Sequence, residues 1–185
     1  MMCWLAGVAL ILSLFRQGSD QVVISEVMFD PEGREFYNEF IELQNVDDIA
    51  VDLDGWRVGD GNEVDALVAR DQNTLLSPCG CALLLDSSYF HNSDSYQPLP
   101  ADVIVLAIED ATFGKGGFQN EGTERVLLVT TEGDTVGSAL YVPGNPEGFS
   151  EEKIDPSEVD HAKELVGFAM ERWHTRSGEQ RQSEE

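Results

Sequence analysis

Asn38-Glu39-Phe40-Ile41-Glu42-Leu43-Gln44-Asn45, followed after five intervening residues by Val51-Asp52-Leu53-Asp54-Gly55-Trp56, decides the fold. The first stretch alternates side chains as a β-strand does, and the second is a short strand, a turn and a tryptophan that opens another strand. Asp54 supplies a local hydrogen bond to that turn and Gly55 its backbone freedom. Glu39 and Glu42 invite an acid/base reading, but residues three apart on a strand face opposite sides of the sheet. The two carboxylates cannot close on one substrate unless the strand is bulged, and the stretch specifies a fold, not a reaction.

Outward from it the chain reads as short strands separated by turn signals. Val22 to Phe29 is closed by Asp30-Pro31-Glu32-Gly33, Leu75-Leu76-Ser77-Pro78 marks a corner before Ala82 to Leu85, and Val103 to Ile108 and Val126 to Thr130 are further strands. Thr131-Glu132-Gly133-Asp134 is a hairpin loop leading into Thr135 to Tyr141. About seven or eight strands in this span fit a two-sheet sandwich. His91 to Pro100 reads as a long polar surface loop. Phe113-Gly114-Lys115-Gly116-Gly117-Phe118 reads as a flexible loop whose glycines lack the spacing of a phosphate-binding loop.

The 185 residues suit one domain with tails. Against 35 Asp and Glu stand 11 Lys and Arg, a formal charge of −24 that repels nucleic-acid phosphates and anionic lipid headgroups and favours cations and basic partners. The 42% hydrophobic content and nine phenylalanines place this acid on a folded surface and not in a disordered chain. Residues 2–15 are apolar apart from Ser13, nearer the length of a secretory signal than of a spanning helix. Residues 1–19 are therefore expected to be a signal peptide, with an uncleaved N-terminal anchor as the alternative, and the protein to be extracytoplasmic, secreted or at the cell surface. Cys79-Gly80-Cys81 carries the two cysteines outside this segment; they are unpaired or strained-paired structural cysteines first, a redox pair second and a metal site last.

The C-terminal part changes character. Ser157 to Asp160 resembles a capping box, and Val159, Ala162, Leu165, Val166, Ala169, Met170 and Trp173 recur at helical spacing. An amphipathic helix is expected at 157–174, within a segment 157–176, docked on the sandwich or reserved for a partner or a membrane surface, the last disfavoured by its few basic residues. Residues 177–185 read as a polar tail.

The quoted residues resemble a lamin tail domain, of the type appended to secreted and cell-surface bacterial proteins. Ile24-Ser25-Glu26-Val27 is similar to the family's Ile-x-Glu-Val opening, Glu39 to Asn45 to its Glu-Trp-Ile-Glu-Leu-x-Asn, and Val51 to Trp56 to its Val-Asp-Leu-x-Gly-Trp. Leu76 to Cys81 stands where the family tends to have Leu-x-Pro-Gly-Gly and an aromatic, so both cysteines are departures. Gly148 to Pro156 is similar to the family's closing stretch, and the domain is taken as residues 20–156. The resemblance implies an immunoglobulin-like β-sandwich used as an interaction or structural module, with a protein partner, no catalytic residue to transfer and Trp56 packed in the core.

Other chemistry is thin. Asp52, Asp54, Asp60, Asn62, Glu63 and Asp65 crowd the turns around Trp56 and offer the oxygen ligands that Ca²⁺ takes, though without the spacing of a helix–loop–helix calcium loop. A calcium-stabilised carbohydrate- or envelope-binding module is the alternative to the protein-interaction reading. Trp56, Tyr89 and Trp173 are candidates for a sugar platform. His91, His161 and His174 accompany no nucleophile elbow. Glu26 is expected to accept a hydrogen bond. No catalytic, cofactor-binding or metal-ligating residue is assigned, and the oligomeric state stays open.

Overall fold

The computed structural model describes residues 21–99, 101–142, 144–154 and 166–169. The expected export segment 1–19, His161, Trp173, His174 and the tail 177–185 lie outside the described residues. The strands are β1 (Val22–Met28), β2 (Phe40–Asn45), β3 (Val51–Asp52), β4 (Arg57–Gly59), β5 (Val64–Ala69), β6 (Leu75–Leu76) and β7 (Cys81–Leu85). A one-turn helix α1 (Tyr89–Asn92) precedes β8 (Ile104–Ile108), β9 (Glu124–Val129), β10 (Thr135–Tyr141), β11 (Phe149–Glu152) and β12 (Val166–Ala169).

Hydrogen bonds link ten strands in the order β10-β9-β4-β5-β8-β7-β2-β1-β11-β12, and β3 and β6 form a separate ribbon. All pairings are antiparallel except β7 with β8. The order folds over so that β10 returns to β1. A Cβ on Gly137 of β10 would lie 3.6 Å from the Val22 carbonyl oxygen. The result is an all-β sandwich that nearly closes into a barrel, with one large core between its walls.

Phasing of β1 shows how the sequence makes this core. Val22 and Ile24 point into it, and so do Val27 and Phe29, which strict alternation forbids. The register shift between Ile24 and Glu26 inserts one residue and resets the phase. Ser25, at that bulge, donates its hydroxyl to the Glu42 carboxylate at 2.6 Å. The Leu53–Trp56 turn closes with Trp56 N–H on the Leu53 carbonyl at 3.1 Å, and its Gly55 has φ +73°. A Cβ there would also press on Thr131 at 2.6 Å, so the turn requires glycine twice over. Trp56 is buried in the large core. The Thr131–Asp134 loop is a hairpin, as its composition indicates: the Thr130 amide donates to the Asp134 carbonyl at 2.9 Å.

Two readings of the sequence change. Of the expected loop His91–Pro100, residues 91–99 are not merely a surface loop: with α1 they lie over the outer face of β1, β2, β7 and β8. There Tyr89 and Tyr96 pack with Met28, Phe40, Leu83 and Leu85 into a second core. Polar composition hid one tyrosine among serines and asparagines. Within the expected helix 157–174, residues 166–169 are instead strand β12, antiparallel to β11 with Phe149 opposite Ala169 and Glu152 opposite Val166. The remainder of 157–174 lies outside the described residues. The open edge of β11 offers a ladder to any extended segment, and Gly167 disfavours a helix interior by roughly 1 kcal/mol. Among the described residues no helix is long and apolar enough to cross a membrane.

Candidate functional site

The acidic residues singled out near Trp56 separate into three groups. Asp52 belongs to the β3–β6 ribbon, where its carboxylate accepts the Thr74 hydroxyl at 2.6 Å and the Asp54 amide at 3.1 Å; both bonds hold its pKa below the usual range. Asp54 is exposed. Asp60 organises the turn between β4 and β5: Oδ1 accepts the amides of Asn62 at 2.7 Å and Glu63 at 2.9 Å. Partial burial alone would raise its pKa, but these amides, with further bonds from the Asn62 side chain and the Lys115 amide, bring it down.

Glu63 and Asp65 form the third group, joined by Asp110 from just beyond β8, with carboxylate oxygens within 4.8 Å of one another. Glu63 and Asp110 are exposed and Asp65 is buried. Burial pushes Asp65 up to about 6, aided by the charges of Asp110, Glu63 and Glu109 and opposed by the hydrogen bond it accepts from Gly114. Asp110 escaped the sequence reading because it lies 45 residues beyond Asp65 and meets it only through the β5–β8 pairing.

That Gly114 bond belongs to a densely hydrogen-bonded loop at this end of the sandwich. Every amide from Gly114 to Gln119 is engaged inside the protein. Gly114 N–H donates to Asp65 at 2.7 Å, Lys115 N–H to Asp60 at 3.3 Å, Phe118 N–H to Glu39 at 3.0 Å and Gln119 N–H to Glu124 at 2.9 Å. The amides of Gly116 and Gly117 donate to the carbonyls of Gly114 and Phe113, each at 2.9 Å. The glycine-rich loop is thus an amide array already filled by four carboxylates of the protein and two carbonyls of the loop itself. A phosphate has no free main-chain donor there, and a stretch expected to be flexible is tied at each residue from Gly114 to Gln119. Gly117 has φ +91°, and a Cβ on it would meet Glu39 Oε1 at 2.9 Å, so the carboxylate approaches only because the side chain is absent.

Beneath the loop runs a line of buried rings. Phe113 stacks on Phe118 at 5.0 Å, Phe118 meets Tyr141 edge-on at 6.0 Å, and Tyr141 stacks on Phe29 at 4.5 Å. The Tyr141 hydroxyl donates to the Glu124 carboxylate in a short hydrogen bond. Burial and then that carboxylate raise the Tyr141 phenol far above its usual range.

Glu39 and Glu42 face opposite ways. Glu39 turns to the large core and the Phe118 amide, while Glu42 turns to the outer face and Ser25. Glu26 accepts the hydroxyl of Ser150 on β11 in a short hydrogen bond. Trp56 and Tyr89 are both buried, which removes them as a sugar platform; Tyr89 belongs to the second core and His91 is exposed on α1. Cys79 is exposed, Cys81 half-buried, and neither is in a disulfide. The Lamin Tail Domain family model matches residues 16–142. No curated protein matches the chain.

Proposed function

Because the chain belongs to the lamin tail domain family, an immunoglobulin-like family of interaction modules, we propose that it is a noncatalytic module for protein–protein contact or a structural role, secreted or held at the cell surface in the bacterial manner. The observation that carries this reading is the division of its acid. Asp60, Asp65, Glu39 and Glu124 are turned inward to hold a loop. Glu63, Glu109 and Asp110 stand exposed on the rim beside it, on a chain of charge −24. A rigid end with an acidic rim recognises a basic protein surface by complementarity, and contacts of this kind are set by surface shape and charge and not by short motifs. The apolar segment at 2–15 supports an address outside the cytoplasm.

The test is affinity capture from the native cell envelope with the chain from Asp20 onward as bait. A specific protein is expected to be retained at low ionic strength and released as salt shortens the reach of the rim charges. Capture without any enriched protein overturns the reading.

A second reading, a calcium-stabilised carbohydrate- or envelope-binding module, is favoured only by the approach of Glu63, Asp65 and Asp110. Their oxygens suit a hard cation, but they provide fewer than the roughly six to eight ligands that Ca²⁺ takes, so carbonyls or water must complete the shell. Equal melting temperatures in calcium and in chelator remove it.

A further inference from the structure

We propose that Cys79 and Cys81 form a thiol–disulfide exchange site, with Cys79 as the attacking and Cys81 as the resolving sulfur. Ser77-Pro78-Cys79-Gly80 is a tight turn closed by the Gly80 amide on the Ser77 carbonyl at 3.0 Å. Cys79 occupies its third position with φ +55°, a left-handed conformation that disfavours a side chain and is ordinarily left to glycine. The side chain gains no burial in return, since Cys79 is exposed. What the residue adds to the turn is an accessible thiol, two residues from a second one on the first residue of β7.

The backbone around the pair is fixed from below by the buried Asn45. Its side-chain amide donates to the carbonyls of Leu76 at 3.3 Å and Ser77 at 3.1 Å, and its main-chain amide donates to the Gly80 carbonyl at 3.0 Å. Cys81 is further held opposite Gln44 in the β2–β7 ladder. Closing a disulfide across a single residue demands a particular separation of the two Cβ atoms, and a clamped turn resists the adjustment. The resulting bond is strained, and strained, exposed disulfides are the labile ones that pass their oxidation on. The same clamp leaves Cys79 outermost, so it meets an incoming disulfide first.

The co-reactant is a disulfide, either of a small thiol or of a protein. The Cys79 thiolate attacks one sulfur of it, forming a mixed disulfide and expelling the other half as a thiolate that takes up the proton Cys79 released. The Cys81 thiolate then attacks the Cys79 sulfur, forms the Cys79–Cys81 bond and expels the second half, which takes up the proton of Cys81. Two electrons pass from the pair to the co-reactant, which leaves as two thiols.

The experiment uses the full reduced chain, incubated in parallel with oxidised glutathione and with disulfide-bonded insulin, then quenched by alkylation and mapped by peptide mass so that Cys3 is scored apart. The wild type is expected to accumulate an internal Cys79–Cys81 disulfide that excess reduced glutathione reopens. Cys81→Ser is expected to trap the adduct on Cys79 at least about tenfold longer than the wild type retains it. Cys79→Gly, which suits φ +55°, should fold as the wild type does and lose the reaction. The faster of the two probes identifies the source of the co-reactant. A pair that stays reduced with both probes, or an adduct no longer-lived in Cys81→Ser than in the wild type, overturns the proposal.

Discussion

Two irregular segments close this sandwich, and they are held by opposite kinds of chemistry. The segment from Asp86 to Leu99 covers the outer face of the sheet through its own rings: Tyr96 stacks on Tyr89 at 5.5 Å and meets Phe40 edge-on at 5.3 Å. The loop from Phe113 to Gln119 is held through its backbone, by carboxylates that reach it from other parts of the chain. An apolar cover depends chiefly on area and packing, whereas a carboxylate latch depends on charge that burial makes costly. The contrast says which segment fails under which stress, and substitutions can break it from either side.

The largest effect is expected at Tyr96. It is 5% exposed, its hydroxyl donates to the Asn38 carbonyl in a short hydrogen bond, and burial lifts its phenol far above the usual range. Tyr96→Ala is expected to destabilise the fold by about 3–5 kcal/mol, as removal of a large buried ring does. Tyr96→Phe keeps the ring and loses only the hydrogen bond, for about 1 kcal/mol. Denaturant midpoints for the two variants, with unchanged slopes, check this. Near-equal losses would mean that the hydroxyl and not the ring holds the cover.

A smaller loss is expected at the latch. Glu39→Ala leaves the buried Phe118 amide without its acceptor, a change of about 1–3 kcal/mol. Glu39→Gln keeps an oxygen in place and is expected to retain most of the stability. Hydrogen exchange at Phe118 provides the local reading: the Ala variant should lose protection there while the Tyr89–Tyr96 segment keeps its own.

These two segments also mark where the sequence was legible. Strand identity, the Leu53–Trp56 turn and the burial of Trp56 follow from alternation and turn chemistry, which are local. Glu39 and Glu42 facing opposite ways follows from strand period alone. The latch was hidden because its acceptors lie 79, 55, 49 and 5 residues from the amides they hold, and no periodicity links a glycine run to a distant carboxylate. The second core was hidden because Tyr96 sits in a run of polar residues, where composition outvotes the single ring that matters. The strand at 166–169 has apolar residues that satisfy helical spacing, and only the open edge of β11, a tertiary fact, selects the extended form.

The smallest effect separates the two segments by residue, because the charge of Asp65 acts on the loop while that of Asp86, which accepts the Tyr89 amide at 2.9 Å, acts on the cover. Asp65 is 3% exposed, holds the Gly114 amide and titrates near 6, against about 3.9 for an aspartate in the unfolded chain. The folded protein therefore binds this proton more tightly than the unfolded chain does, so Asp65 lowers stability as pH rises from about 4 through 6 and has no further effect above about 7. From pH 7 down to pH 5 the wild type is expected to gain about 1 kcal/mol from this group. Asp52 and Asp60, whose pKa values are lowered, act in the opposite sense but below pH 4. Asp86 is raised by burial and contributes in the same direction as Asp65, so the wild-type curve alone does not isolate the latch. Asp65→Asn does: its amide oxygen can accept the Gly114 hydrogen bond without a charge. The variant should therefore lack the Asp65 share of the gain while Asp86 still contributes. Thermal unfolding of both proteins at pH 5 and pH 7 measures the difference. A parallel response in the two would show that the charge on Asp65 is relieved in some other way, and that the latch is no more sensitive to pH than the aromatic cover.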